Sequence, residues 1–435
     1  MVKSSVQGYI IIIVQEVLML ITSMLRIILT RSFKPFVFTG RNENKLKFES
    51  LEDMGLYVHI PFCRSICRFC PYFKEVYDNY KAESYKTALL KEIDLVCRNL
   101  KEKKHAASLY FGGGTPALMI DDMKEIIDKL KNYFIIEGGI GIELHPEDIK
   151  ETNLDKLKKL GINMVSVGIQ SFDEKCLHNL GRKNDRFEEK LNLVKSYEFD
   201  VVDVDLIFAI PGQTDKILLK DIKTAFDNGA TQVSTYPFID FTFADNSCKP
   251  MPEKTKKKML NKLTEYCGNI NIERTSVWTF ARQGTKRYSS VTRDNFLGFG
   301  VSAATLLSNT FKINTFSIAE YIKRLNNGIL PSSVTLYFTK RQRAVYYLFW
   351  SAYSLKIDIQ KFEKMIGESL DKMFGIELLL AEKLGLLVKK KDCYELTPKS
   401  SYWYHIIEQF YTREYIDKMW NVSRKEAFPD KIVLR

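Results

Sequence analysis

The chain has 435 residues, 45% of them apolar, with 28 Phe and 22 Tyr, enough for one large core and a smaller companion. Its net charge of +12 fits an anionic small molecule or a weak polyanion contact and does not choose between them. Eight cysteines at this length are too few for a disulfide scaffold, and only three of them cluster, which points to metal binding in a reducing compartment, the cytoplasm.

In chain order, residues 9–30 come first, long and apolar enough to raise the question of a membrane span. Gln15, Glu16, Thr22, Ser23, Arg26 and Thr30 nevertheless fall on one polar stripe of about 120°. A mid-span Glu costs about 2.5–3.5 kcal/mol on insertion. The segment is therefore expected to be an amphipathic helix packed on the body of the protein, with peripheral membrane contact as the alternative. Residues 31–53 read as an irregular connection.

From residue 56 onward, short β-branched or aromatic runs alternate with amphipathic stretches. Strands are expected at 56–60, 107–111, 140–144, 163–169, 201–208 and 232–237, and helices at 79–104, 121–134, 150–160, 185–197 and 215–228. That alternation predicts a parallel sheet built from βαβ units, an incomplete (β/α)6 barrel of the TIM type. Cys63, Gly112, Glu143, Gln170 and Asp205 all fall at or just past the C-terminal ends of these strands, where the mouth of a parallel barrel assembles its site.

The first strand runs into Cys63-Arg64-Ser65-Ile66-Cys67-Arg68-Phe69-Cys70. Thiolates spaced Cys-x3-Cys-x2-Cys on one short loop can hold three corners of a cubane iron–sulfur cluster and leave the fourth iron open. A zinc site would need a fourth ligand nearby, and the loop supplies none. The second strand ends in Gly112-Gly113-Gly114-Thr115, a turn that allows close backbone approach to a ligand but lacks the Lys-Ser/Thr of a P-loop.

Residues 251–266 are expected to be helical, and 276–305 to hold short strands. The tail from about 334 is mostly helical, with a helix over 370–387 and a small β-ribbon over 388–396. The expected organisation is an N-terminal helix and connection (1–50), the core barrel (51–250), barrel completion and a linker (251–333), and a winged-helix-like C-terminal cap (334–435).

The cysteine loop, the glycine turn, Glu143-Leu144-His145-Pro146, Val167-Gly168-Ile169-Gln170, Leu180-Gly181-Arg182 and Asp205-Leu206-Ile207-Phe208 occur in that order. Together they resemble the radical S-adenosylmethionine (SAM) enzymes of the oxygen-independent coproporphyrinogen III oxidase type, a family that includes heme chaperones and heme-utilisation methyltransferases. The resemblance runs from about Leu56 to Leu307. It implies that Cys63, Cys67 and Cys70 ligate a 4Fe-4S cluster whose open iron chelates SAM. It places Tyr57 and Phe69 beside SAM, and Gly112, Gly113 and Thr115 at its methionyl part. Glu143 falls to a ribose or amino contact, Gln170 to a polar contact, Arg182 to the carboxylate and Asp205 to the ribose hydroxyls.

The implied reaction is one-electron cleavage of SAM to a 5′-deoxyadenosyl radical that abstracts a substrate hydrogen. The substrate would be a tetrapyrrole or other small molecule, and the electron donor a flavodoxin or ferredoxin. No nucleic-acid partner is expected. The alternatives are a heme-binding chaperone, with His59, His105, His145, His178 and His405 as candidate ligands, and a methyltransferase that binds two SAM molecules. Where the family's decarboxylases carry a further cysteine two residues after the third ligand, this chain has Tyr72.

Overall fold

The computed structural model describes residues 20–434 apart from 41–44, 52–53, 243, 245–248 and 287–293. A first strand, β1 (Phe36–Thr39), precedes the core. The core strands are β2 (Met54–Ile60), β3 (Lys104–Gly113), β4 (Ile140–Leu144), β5 (Ile162–Gln170), β6 (Val201–Phe208) and β7 (Gln232–Pro237). They lie side by side in sequence order, every neighbouring pair parallel. All six begin and end within a few residues of the expected positions, because strands covered on both faces are continuous apolar runs. In β6, for example, seven of eight residues are buried.

The crossover helices are α1 (Asn79–Cys97), α2 (Met123–Tyr133), α3 (Glu151–Lys159), α4 (Phe187–Ser196) and α5 (Asp215–Asp227). Local chemistry sets their ends. Asp78 accepts from the Lys81 amide at 2.9 Å to start α1, and Thr214 caps α5 through the Ile217 amide. Gly161, at φ +78°, makes the left-handed exit from α3 into β5. Each helix buries an apolar stripe; α1 sets Tyr85, Leu89 and Ile93 against the sheet, and full burial of such side chains stabilises by about 1.5–3 kcal/mol each.

The sheet continues beyond the parallel core. On one side β9 (Thr279–Arg282) runs antiparallel to β7 and carries β8 (Ile272–Arg274), which α6 (Glu253–Asn269) precedes. On the other side β10 (Phe296–Phe299) runs parallel to β2. It leads through β11 (Ala304–Leu307), β12 (Thr310–Asn314) and β13 (Ser332–Tyr337) back to β1 and to β14 (Lys431–Leu434). The path does not close, so the barrel is incomplete. The helix α7 (Ile318–Asn326) packs beside α1. The C-terminal part comprises α8 (Lys340–Tyr353), α9 (Ile359–Ile366), α10 (Leu370–Lys383), the 26-residue α11 (Pro398–Ser423) and a ribbon of Lys356–Asp358, Cys393–Leu396 and Leu387–Lys389.

Two expectations are corrected. Residues 36–39 are not irregular: β1 pairs antiparallel with β14 and β13. A four-residue strand whose partners lie some 300–400 positions away leaves no local signal. The N-terminal expectation lies partly outside the described residues. Where it is described, the helix over residues 20–30 turns its polar stripe inward: Arg26 donates to the carbonyls of Lys34 and Ser32, and Thr30 is buried. Leu20, Ile21, Met24 and Ile28 face solvent instead of packing on the body. Among the described residues no helix is long and apolar enough to cross a membrane.

Candidate active site

The cysteine loop leaves β2 and is pinned on both sides by backbone hydrogen bonds. The Gly114 amide donates to Ile60, Thr115 to Phe62, and Tyr77 to Cys63. Residues Phe62–Cys63 also pair with Glu75–Val76, closing the loop at its base. Cys63 is buried, Cys67 and Cys70 are half-buried, and all three line one cavity of about 1450 Å³. The Thr115 hydroxyl lies 3.7 Å from the Cys63 sulfur, and the Lys74 ammonium donates to the Cys70 carbonyl at 2.9 Å.

Burial pushes the Cys63 thiol up to about 11, partly offset by the Thr115 hydroxyl. Burial also raises Cys67, against the charge of Arg182. Such thiols need a metal to hold them as thiolates, and ligation deprotonates them outright. Among the described residues no three candidate ligands stand close enough for a single ion. A cubane spreads its thiolates over three corner irons, and a three-sulfur loop facing a shared cavity fits such a cluster.

The glycine turn sits beside it. Gly113 has φ +115°, and a Cβ there would lie 2.5 Å from the His59 ring; one on Gly114 would meet the Phe62 carbonyl at 2.5 Å. The turn can approach the cysteine loop only without side chains. Glu143, at the end of β4, accepts from the Gly113 amide at 3.0 Å and from the Tyr110 hydroxyl at 2.9 Å. Burial, then the neighbouring Asp205, lifts its carboxyl to about 7.

Gln170 closes β5 at φ +74°, a strained conformation for a non-glycine residue that turns the chain at the cavity rim. Asp205 accepts from the Ser166 hydroxyl at 2.7 Å. Arg182, carried past β5 by the short helix Glu174–Asn179, donates to the Gly168 carbonyl and to the His145 ring, both at 2.7 Å.

Of the residues singled out in the sequence, Cys63, Cys67, Phe69, Cys70, Gly113, Thr115, Glu143, Gln170, Arg182 and Asp205 all line this cavity. Tyr57 and Gly112 do not. Tyr57 stacks behind Tyr110 and shares a hydrogen bond with His59, while Gly112 packs against Glu143. Of the five histidines only His145 lines the cavity. His59 is buried against the Phe73 carbonyl, His105 pairs with Glu137 at the surface, His178 rides the short helix, and His405 accepts from the Trp278 indole.

Sequence reasoning missed Asp203, Tyr110 and Glu408, which face the same space, and named His145 only as a candidate heme ligand. The first two each lie two residues from a residue it found, so strand alternation was the available signal. Glu408 belongs to α11, where no local pattern marks it. Aromatic side chains supply a large part of the remaining wall: Tyr236, Trp278, Trp350, Tyr353 and Tyr404 come from β7, the approach to β9, α8 and α11. The cavity exceeds the roughly 300–1,000 Å³ of an ordinary small-molecule pocket, leaving room for a cofactor and a second large molecule together. Tyr72 points into it with half its surface open.

Residues 57–225 match the model of the Radical SAM superfamily. The chain is similar to the heme chaperone HemW of Bacillus subtilis (strain 168), 26% identical over 360 residues that span 78% of this chain and 94% of that one. It is also similar to the oxygen-independent coproporphyrinogen III oxidase of Pseudomonas aeruginosa, 26% identical over 306 residues, 64% of this chain and 66% of that one. Its fold is like that of the coproporphyrinogen III oxidase HemN from Escherichia coli, with a TM-score of 0.73 at 22% identity, covering 86% of this chain and 94% of that one.

Proposed function

We propose, from the Radical SAM match over residues 57–225, that this chain is an enzyme that reductively cleaves SAM and turns the resulting radical on a tetrapyrrole, in the manner of a coproporphyrinogen III oxidase. The observation that carries this reading is the convergence of three cysteine thiols, an arginine and two raised carboxyls on one aromatic-walled cavity. When bound, a 4Fe-4S cluster with one open iron supplies the electron and the chelating metal.

The chain's own residues do the rest. Cys63, Cys67 and Cys70 hold the cluster from a loop fixed at both ends. Arg182 offers a planar fork of donors to a carboxylate. Glu143 and Asp205 offer acceptors for ammonium or hydroxyl groups, and the glycine turn lets the backbone lie flat against the ligand. The aromatic wall excludes water from a reactive species.

The test is an anaerobic assay of the reconstituted chain with dithionite and SAM, following 5′-deoxyadenosine together with tetrapyrrole masses. Deoxyadenosine with a tetrapyrrole altered by oxidative decarboxylation supports the proposal; absence of deoxyadenosine with any tetrapyrrole sinks it. A second reading, heme trafficking, draws on the similarity to HemW and on Tyr72, which stands where the decarboxylases have a cysteine. Its signature is stoichiometric heme binding without turnover. The only histidine on the cavity, His145, is already engaged by Arg182, so heme held there would need a ligand other than histidine.

A further inference from the structure

Arg182 is half-buried, and two of its nitrogens are already spoken for. Nη1 donates to the Gly168 carbonyl, and Nη2 meets His145 Nε2, each at 2.7 Å. A guanidinium has donors only, so the imidazole nitrogen facing it must present a lone pair. The imidazole proton then sits on Nδ1, with the Glu147 carboxylate 3.9 Å away. The Glu147 amide lies 3.3 Å from the same Nδ1 and calls for the opposite tautomer. The shorter, charge-assisted contact to Arg182 outranks it.

His145 also opens the turn Pro146–Asp148 at the end of β4. The far end of that turn grips the cluster loop: Asp148 binds the Arg64 guanidinium at 2.5 Å, and Arg64 adjoins Cys63. A single three-residue turn thus ties the cysteine loop to the arginine across the cavity.

We propose that His145 is a positioning residue whose neutral imidazole holds the Arg182 guanidinium in place for the carboxylate of SAM. The inference rests on the SAM-binding reading given above and adds a residue which that reading does not use. Burial, then the positive charges of Arg182, Arg64 and Lys190, outweighs Asp185 and drives the imidazole down to about 3. It therefore stays neutral, and able to accept, throughout the physiological range.

The test compares equilibrium binding of SAM and of decarboxylated SAM to the full, reconstituted chain. The unaltered protein binds SAM more tightly, because only SAM carries the carboxylate. His145→Leu is expected to weaken SAM about tenfold, the typical effect of losing a hydrogen bond to a charged group, and to leave the decarboxylated ligand where it was. Retained binding of the decarboxylated ligand also shows that the variant is folded. His145→Gln, whose amide oxygen reaches the position of Nε2, restores the preference. If His145→Leu weakens both ligands equally, or neither, the inference is wrong. If the unaltered chain binds neither ligand, the proposed function fails and this inference with it, an outcome recognisable before any variant is made.

Discussion

Asp203 and Asp205 stand two residues apart on β6 and both face the cavity, so that a carboxyl from each shares one poorly solvated interior. Asp205 accepts from Ser166 at 2.7 Å and Asp203 from Ser234 at 2.9 Å. The second oxygen of Asp203 has no hydrogen-bond partner among the described residues. Burial raises both carboxyls well above the ordinary range, and the Asp205 charge adds to the rise at Asp203.

That arrangement makes stability depend on pH in an unusual direction for aspartate. The folded state keeps a proton at Asp203 that the unfolded chain has released above about pH 4. Stability is therefore lost as pH rises toward the folded-state value. Asp203→Asn, which mimics the protonated form and can still accept from Ser234, should remove the loss. Melting curves at pH 5 and pH 8.5 are expected to show the variant's gain on the parent larger by about 2 °C or more at the higher pH. An equal shift at both pH values would contradict the account.

Glu143 gives the binding counterpart. Its carboxyl is held near 7, so the ionised form that can accept from SAM's ammonium or ribose fills in as pH rises through neutrality. SAM affinity of the parent is expected to strengthen about threefold or more between pH 6 and 8, as the ionised fraction grows. Glu143→Gln should bind more weakly with a flat profile, measured by equilibrium dialysis. A variant that keeps the parent's slope would show that another group controls it.

The cluster assignment predicts an all-or-none result. Cys67→Ala is expected to lose the iron–sulfur absorbance after reconstitution and most of the bound iron. Cys176→Ala and Cys267→Ala, buried but not among the residues that line the cavity, should retain both. Iron analysis with optical spectra decides it, and persistence of the chromophore in Cys67→Ala would refute the ligand set.

Backbone geometry predicts a contrast between two glycines. Gly113→Ala forces a Cβ into the His59 ring at φ +115° and is expected to destabilise the chain by about 2 kcal/mol or more and to disturb SAM binding. Gly161→Ala has a similar left-handed φ of +78° but nothing within 4 Å, so it should cost only about 1 kcal/mol. Chemical denaturation of the pair separates the steric contribution from the conformational one.

Much of the site was legible because its residues lie on strands, where the period of two and the strand end fix both face and height. Cys63, Glu143, Gln170 and Asp205 were found in this way, and Asp203 and Tyr110 could have been. Tyr57 and Gly112 lie one layer behind the cavity lining, a distinction no one-dimensional spacing contains. Glu408 and Tyr404 reach the same space from a helix some 200 residues downstream of Asp205, and nothing in their own neighbourhood announces it.

By itself the sequence determined the parallel strand order, the helices between the strands and the three-cysteine loop. These depend on local periodicity, caps and thiol spacing, all set by residues within a few positions of one another. Only the tertiary structure decided that β1 pairs with β14, that the helix over residues 20–30 turns its polar stripe inward, and that Arg182 rests on His145. The first and last of those outcomes are choices among partners distant in the chain, and the second depends on which face of the helix the rest of the fold leaves exposed; none of them has a local signature.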